Sequence, residues 1–439
     1  MIATTTTATT TTAPPTQHAP SNARMNGVLF LLALSVLINY IDRSNLSIAA
    51  ELIKHEIHIN DFQLGTLLSA FFWTYALMQI PAGWLVDRFD VKWVFAAGFF
   101  LWSLSTAVTG ILHGFAALLI IRVILGLGES VAFPSYGKVL GSYFKESRRG
   151  FANAMLMVGL ALGPALGMWV GGRAVGHFGW RPFFLVLGLA GLLWLPLWSV
   201  WMPRRNDAPS RAESYRAGYL DILRQRSAWG TCIGQASINY FLYFLVTWLP
   251  IYLQRGRHLT LHDVANLGGL LFLASAVSSA ATGKLSDRWI QAGAPPTLVR
   301  KGLMLFGHVG IGLCLAVMVL ASGGLFTAML ISTGAFLGIS VCNSWAISQM
   351  LAGPRMVGRW IGVQNFVGNL GGAVAPVLTG FLLDRTNSFY WPFLITAVVA
   401  WIGGMGWWFV VGPLEEVDWG KTRGAASILS GAAPQSSLP

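Results

Sequence analysis

The chain has 439 residues, of which 54% are hydrophobic and only 10% charged, and its mean hydropathy is +0.60. Water-soluble domains carry about 25% charged residues, so a soluble enzyme or binding module is excluded and the chain reads as an integral membrane protein. The net charge of +12 is scattered between apolar runs; a nucleic-acid partner would need it gathered on one folded surface, and none is expected.

In chain order, residues 1–24 are mostly Thr, Ala and Pro with a single Arg. They have no apolar core, which predicts a disordered cytoplasmic tail and not a signal peptide. Apolar runs then recur at roughly 25–50, 62–86, 91–112, 115–143, 149–172, 181–202, 228–253, 263–286, 300–322, 325–351, 358–383 and 390–412. Each is long enough to cross a bilayer, which takes about 20 residues. An all-α polytopic fold of twelve transmembrane helices is therefore expected. The one long polar connector, a cytoplasmic linker at 203–226, separates a six-helix bundle at 25–202 from another at 227–412, and 413–439 reads as a second cytoplasmic tail. With the N-terminus inside, the inner segments hold nineteen Lys and Arg and the outer ones six, so both termini are placed in the cytoplasm. The positive excess then serves orientation and a match to anionic lipid. Cys232, Cys314 and Cys342 lie in apolar runs without CxxC spacing and imply neither disulfide nor metal.

The first run contains Asn39-Tyr40-Ile41-Asp42-Arg43-Ser44-Asn45. A charge inside a spanning helix costs at least about 2.5–3.5 kcal/mol on insertion scales. As helix neighbours, Asp42 and Arg43 point about 100° apart and cannot pair with each other, so each needs a partner from another helix.

The chain also repeats. Gly83-Trp84-Leu85-Val86-Asp87-Arg88 returns as Gly283-Lys284-Leu285-Ser286-Asp287-Arg288. Gly150, Asn153, Gly159 and Pro164 return as Gly362, Asn365, Gly371 and Pro376, and Gly179-Trp180-Arg181-Pro182-Phe183 is echoed by Tyr390-Trp391-Pro392-Phe393. Two six-helix halves of one design suit a carrier that rocks about a midplane site.

Twelve spans, two halves and a G-x-L-x-D-R loop after spans 2 and 8 resemble the major facilitator superfamily. The 39–46 stretch resembles the first-helix signature of its anion:cation symporter branch, the phthalate permease and galactonate transporter-like group. Arg122-x6-Glu129 followed by Ala132-Phe133-Pro134 resembles that branch's fourth helix, and Gln364-Asn365-Phe366 with Gly371-Gly372 its eleventh. The resemblance covers about 25–412. It implies a bacterial inner-membrane carrier of small organic anions without a cofactor, akin to sugar-acid permeases and, more distantly, to sialin and the vesicular glutamate transporters.

Among the acidic residues only Asp42 and Glu129 fall well inside a span, and among the basic ones Arg43 and Arg122 are the deep pair. Arg43 and Arg122 each lie about seven residues, roughly 10 Å, from the outer end of their spans. Glu129 follows Arg122 by seven residues on nearly the same face, which Gly126 and Gly128 thin for close approach. Two guanidiniums at one depth can grip a carboxylate bidentately, and a carboxylic acid in a partly dry cavity can carry a proton. The expected roles are therefore proton coupling for Glu129 and Asp42 and substrate binding for Arg43 and Arg122. Val341 matches Glu129 in the second half, so the proton role has no twin. On spans that the resemblance places around a cavity lie Tyr40, Asn45, Tyr75, Gln79, Gln235, Asn239, Asn343, Ser344, Gln364 and Asn365, amides and hydroxyls that both donate and accept. The stripes Tyr75/Gln79 and Gln235/Asn239/Tyr243 could equally be interhelical glue. Gly83, Asp87, Arg88, Gly283, Asp287 and Arg288 read as a cytoplasmic gate latch.

The expected function is proton-coupled uptake of a small organic anion, a sugar acid such as an aldonate, hexuronate or glucarate, by a monomer in the bilayer. The alternatives are an aromatic or other carboxylate permease, an anion exchanger or a solute-sensing receptor. Gly420-Lys421-Thr422 resembles the end of a P-loop, but Glu415 stands where its first Gly is required, and His55-Glu56-Ile57-His58 lacks HExxH spacing. Neither an ATP-driven pump nor an enzyme is supported. The topology is checked by labelling from outside: a cysteine at position 257 should react with an impermeant maleimide and one at 211 should not. The reverse pattern would overturn it.

Overall fold

The computed structural model describes residues 22–144, 146–203 and 218–419. Among them, eleven helices are long and apolar enough to cross a membrane. They are α1 (Asn22–Ile57), α4 (Val91–Thr109), α5 (Phe115–Tyr143), α6 (Phe151–Phe178), α7 (Trp180–Trp201), α8 (Arg226–Gly256), α9 (Leu261–Gln291), α10 (Pro296–Met318), α11 (Gly323–Gly353), α12 (Met356–Thr386) and α13 (Tyr390–Val410). The expected second span is present as two consecutive helices, α2 (Asp61–Leu77) and α3 (Gln79–Arg88). The cause is Pro81: it has no N–H for the Leu77 carbonyl, and its ring crowds that carbonyl, so the ladder breaks at Met78. Between α11 and α12 the chain turns at Gly353 with φ 64°, a left-handed backbone that favours glycine.

The helices form two bundles. In the first, α1 packs on α6, α2 and α4 on α5, and α4 on α7; in the second, α8 packs on α12 and α13, α9 on α11, and α10 on α11 and α13. The two bundles close their ends in the same way. Lys92, at the start of α4, donates to the Ser199 and Met202 carbonyls at the end of α7 (2.7 and 3.0 Å). Lys301, on α10, donates to the Val411 and Gly412 carbonyls after α13 (2.5 and 3.4 Å). Arg24 likewise reaches Trp201 O (2.8 Å) and Val200 O (3.2 Å), and Arg226 reaches Phe409 O (2.8 Å). The last carbonyls of a helix lack intrahelical partners and carry the negative end of its dipole, so a cation there is favoured. Of the expected tail, residues 413–419 fold back instead: Leu414 N–H donates to Thr297 Oγ1 (3.0 Å), Val417 N–H to Leu351 O (2.9 Å) and Trp419 Nε1 to Ala352 O (3.1 Å). Most of the expected linker, 204–217, and residues 1–21 and 420–439 lie outside the described residues.

The bundles meet along α1/α8, α2/α12 and α6/α9. Contact is tight at the end where α1 turns into α2. An added Cβ at Gly65 would lie 2.3 Å from Pro376 O, and one at Gly380 2.3 Å from Asp61 O. Ser47 Oγ donates to Val246 O and Ser69 Oγ to Ala373 O, each at 2.6 Å. Four charges latch this end. Asp61 accepts from Lys54 of its own bundle and, at 2.6 Å, from Arg255 of the other, while Asp384 receives the first N–H groups of α2 from Asp61 and Phe62 at 2.9 and 2.8 Å. At the opposite end a Cβ at Gly83, Gly137, Gly283 or Gly358 would meet nothing within 4 Å. These ties between the bundles gather at one end. Asp61→Asn removes the charge that Lys54 and Arg255 share. A loss of about 1.4 kcal/mol from the closed form would raise its open fraction about tenfold, so a cysteine at buried Leu68 should label correspondingly faster from the latched side. Unchanged labelling would show that the latch does not hold this end.

Candidate functional site

The two charged neighbours of α1 diverge to different helices. Asp42 points to α4, where Trp102 Nε1 donates to its Oδ2 at 2.5 Å and Thr106 Oγ1 lies 3.5 Å from the same oxygen. Arg43 points to α5, where its Nε (3.1 Å) and Nη2 (2.8 Å) both donate to Glu129 Oε2. Its remaining Nη1 donates to the Tyr243 hydroxyl of α8 at 2.8 Å, across the boundary between the bundles. The rings of Tyr40, Phe71 and Tyr75 surround the guanidinium at 4.9, 5.0 and 4.6 Å. Glycines allow this convergence: a Cβ at Gly126 would lie 2.3 Å from Phe71 O, and one at Gly128 2.8 Å from Trp102 N. The ion pair is buried from water, where attraction between opposite charges is strong but an unpaired charge is costly.

Arg122 behaves differently from expectation. It is buried, stacks near Phe71 at 5.6 Å and forms no ion pair within 4 Å among the described residues. Glu129 lies on nearly the same face of α5 but is taken by Arg43. The two arginines therefore do not grip one carboxylate in this structure; an internal carboxylate occupies one of them. Buried polar capacity remains around the pair: Glu129 Oε1, Asp42 Oδ1, Arg122 Nε and the side-chain amides of Asn39 and Asn45 have no hydrogen-bond partner among the described residues.

The second bundle contributes a neutral lattice. Gln235 Nε2 donates to Asn239 Oδ1 at 2.9 Å, and Gln235 Oε1 accepts from Ser344 Oγ (2.6 Å) and Gln364 Nε2 (3.2 Å). Ser348 Oγ donates to Gln364 Oε1 at 2.5 Å. Gly368 lets α12 close on it, since a Cβ there would lie 2.8 Å from Gln235 Cγ. Gln235, Asn239 and Tyr243 follow one face of α8 at spacing four, so the lattice leads to Arg43 along about 12 Å of helix. Asn365 is half-buried on the adjoining α12. Asn343 turns back instead, with its Nδ2 on Ile339 O at 3.0 Å.

Of the expected latch, Arg88, Asp287 and Arg288 are exposed, Gly83 and Gly283 face open space, and Asp287 accepts from Arg300 at 3.1 Å; the Asp87 side chain lies outside the described residues. Sequence reasoning missed Trp102, Thr106 and Ser348. Trp102 and Thr106 do carry a signal, an indole and a hydroxyl four apart on one face of an apolar run. It also missed His308, buried in the second bundle with Nδ1 2.8 Å from Met304 O.

The family model described as Major Facilitator Superfamily matches residues 32–376. The chain is 28% identical to the probable L-galactonate transporter of Escherichia coli, over 87% of this chain and 88% of that protein. It is 30% identical to the probable sulfoacetate transporter of Cupriavidus necator, over 89% and 94%, and 27% identical to the probable galactarate/D-glucarate transporter of Bacillus subtilis, over 89% and 92%. Its fold superposes with a TM-score of 0.76 on the crystal structure of a bacterial homolog of the human lysosomal transporter Spinster, in an inward-facing and occupied conformation. That match has 19% identity and covers 89% of this chain and 97% of that one.

The buried pair makes a stability prediction. Glu129→Leu leaves Arg43 an unpaired buried cation, at a cost of about 3–5 kcal/mol, and should lower the thermal midpoint in detergent. Arg43→Met added to it should restore most of the loss. A double variant no more stable than the single one would show that the pair does not hold these helices together.

Proposed function

Since the chain belongs to the Major Facilitator Superfamily, whose model spans most of its length, we propose that it takes up a small organic anion together with protons by alternating access. The proposed substrate is a sugar acid of the aldonate, hexuronate or glucarate type. The loop charges orient it in the bacterial inner membrane with both termini cytoplasmic, so the latched end faces out and the opposite end faces in.

The observation that carries this reading is the buried Arg43–Glu129 pair, with Arg122 beside it free of any ion pair within 4 Å among the described residues. A guanidinium presents a planar fork to one carboxylate at a time. With the carrier open outward, a proton on Glu129 removes its claim on Arg43, and the substrate carboxylate takes its place between Arg43 and Arg122. Gln235, Asn239, Ser344 and Asn365 then hydrogen-bond its hydroxyls, while Tyr40 and Tyr75 wall the carboxylate end. Open to the cytoplasm, Glu129 gives up its proton, recovers Arg43 and displaces the anion. Asp42, held by Trp102, is a second proton site. The gating residues Gly83, Asp87, Arg88, Gly283, Asp287 and Arg288 sit at the end that must close in the other half of the cycle. The galactonate and galactarate/glucarate relatives support the polyol assignment, and the sulfoacetate relative makes a short sulfonate the competing anion to test.

Proteoliposomes test the reading. Labelled galactonate, glucuronate, glucarate, sulfoacetate and benzoate are offered with and without an imposed inward proton gradient. A sugar acid should accumulate only with the gradient. Glu129→Gln, fixed in the neutral state, should abolish accumulation but retain exchange of labelled for unlabelled substrate. Accumulation by the Gln variant would refute the proton role, and uptake confined to benzoate or sulfoacetate would refute the sugar-acid assignment.

A further inference from the structure

The ion pair sits in one bundle and the rocking motion involves two, so something must carry its state across. Tyr243 of α8 is placed to do this. Its hydroxyl accepts from Arg43 Nη1 at 2.8 Å. Its ring lies between the bundles, tilted against Phe72 of α2 with centroids 4.2 Å apart. On the other side a Cβ at Gly372 of α12 would fall 2.4 Å from Tyr243 Cδ2, so glycine makes room for the ring. One turn further along α8, Val246 O receives Ser47 of α1. Tyr243 thus stands in the seam that closes the latched end, and the ring is clamped from both bundles.

We propose that Tyr243 is a positioning residue that links the pairing of Arg43 with Glu129 to closure of the outer end, an inference that rests on the proton-coupled reading above. The argument is the geometry of the fork. Arg43 uses Nε and Nη2 on a single carboxylate oxygen. Because the guanidinium is planar and rigid, those two bonds fix where Nη1 points, and it points at Tyr243. When Glu129 is protonated, or when a substrate carboxylate draws the fork away, Nη1 leaves the phenol and the tie between bundles is lost. The tie therefore favours the outward-closed form only while Glu129 holds Arg43. It also holds Arg43 back from the departing anion after release. The ionisable groups that face this contact are Asp42, Arg43 and Tyr40 on α1, Tyr75 on α2, and Arg122, Glu129 and Tyr136 on α5.

Tyr243→Phe keeps the ring and removes the acceptor. The readout is outward accessibility of a cysteine at Leu68, measured with an impermeant maleimide at acid and alkaline pH. In the otherwise native chain, labelling at alkaline pH should be slower once each rate is divided by that of a fully exposed cysteine at the same pH, since the thiolate that reacts becomes more abundant as pH rises. In the Phe variant the alkaline rate should rise by roughly tenfold, as for a lost hydrogen bond to a charged group, while the acid rate stays unchanged, flattening the profile. Gly372→Ala, which displaces the ring without touching the hydroxyl, should flatten it in the same direction. A Phe variant with the native pH profile, or one in which both rates rise equally as general loosening would cause, overturns the inference. A native chain that neither accumulates substrate on a proton gradient nor changes accessibility with pH overturns the proton-coupled reading itself. Native coupling with an unaltered Phe variant overturns only the role of Tyr243.

Discussion

A carboxylate and a guanidinium buried together from water set the terms for the rest of this molecule. Leaving either Glu129 or Arg43 charged and alone in the interior costs about 3–5 kcal/mol. Whatever happens to one must be answered at the other. In the proposed cycle a proton on Glu129 calls for an anion on Arg43, and loss of that proton calls the arginine back. Coupling on that proposal needs no separate device: it follows from one cation serving two competing anions. The ring of Tyr40, Phe71 and Tyr75 around the guanidinium reinforces this, since aromatic faces attract a cation yet cannot neutralise it.

The surrounding architecture keeps that pair away from water. At the latched end the bundles approach backbone to backbone through Gly65 and Gly380, and the charges of Lys54, Asp61, Arg255 and Asp384 are shared across the seam. At the other end the glycines of α3, α9 and α12 face open space. Such an arrangement can reverse only if each bundle moves as a body. The carbonyl clamps made by Arg24 and Arg226 tie the first helix of each bundle to the end of its last, those made by Lys92 and Lys301 tie the third span to the same end, and together they oppose internal slippage.

Much of this was legible in the sequence, because membrane insertion forces its own grammar on the chain. A run that must satisfy its backbone inside lipid has to be a long apolar helix, so the spans could be read directly. The deep charges could be read because apolar runs make them conspicuous. Their partners could not. Helical spacing placed Glu129 beneath Arg122, but pairing was decided by how the helices pack, and α5 approaches α2 at Gly126 and α4 at Gly128. The break at Met78 was announced by Pro81, yet an apolar window passes straight over it. Trp102 was one tryptophan among nineteen, most of them plausible packing, and only its 2.5 Å contact with Asp42 singles it out.

The internal repeat is kept where the two halves must do the same thing and is lost where they must differ. Each bundle needs its ends tied, so the lysine and arginine clamps recur, and the G-x-L-x-D-R loop recurs with them. Charge chemistry is another matter. If both bundles carried a buried acid at the position of Glu129, two protonation events would have to be matched with one substrate, and each empty site would leave its own unpaired cation. Val341 at the equivalent position avoids that. Freed from charge, the second bundle can present amides and hydroxyls from Gln235, Asn239, Ser344, Ser348 and Gln364, already joined to one another. A neutral lattice of this kind exchanges its internal bonds for bonds to a ligand without stranding a charge in the interior. On the proposed function the division places charge recognition in one bundle and shape and hydroxyl recognition in the other, so an anion would be held fully only when the two come together around it.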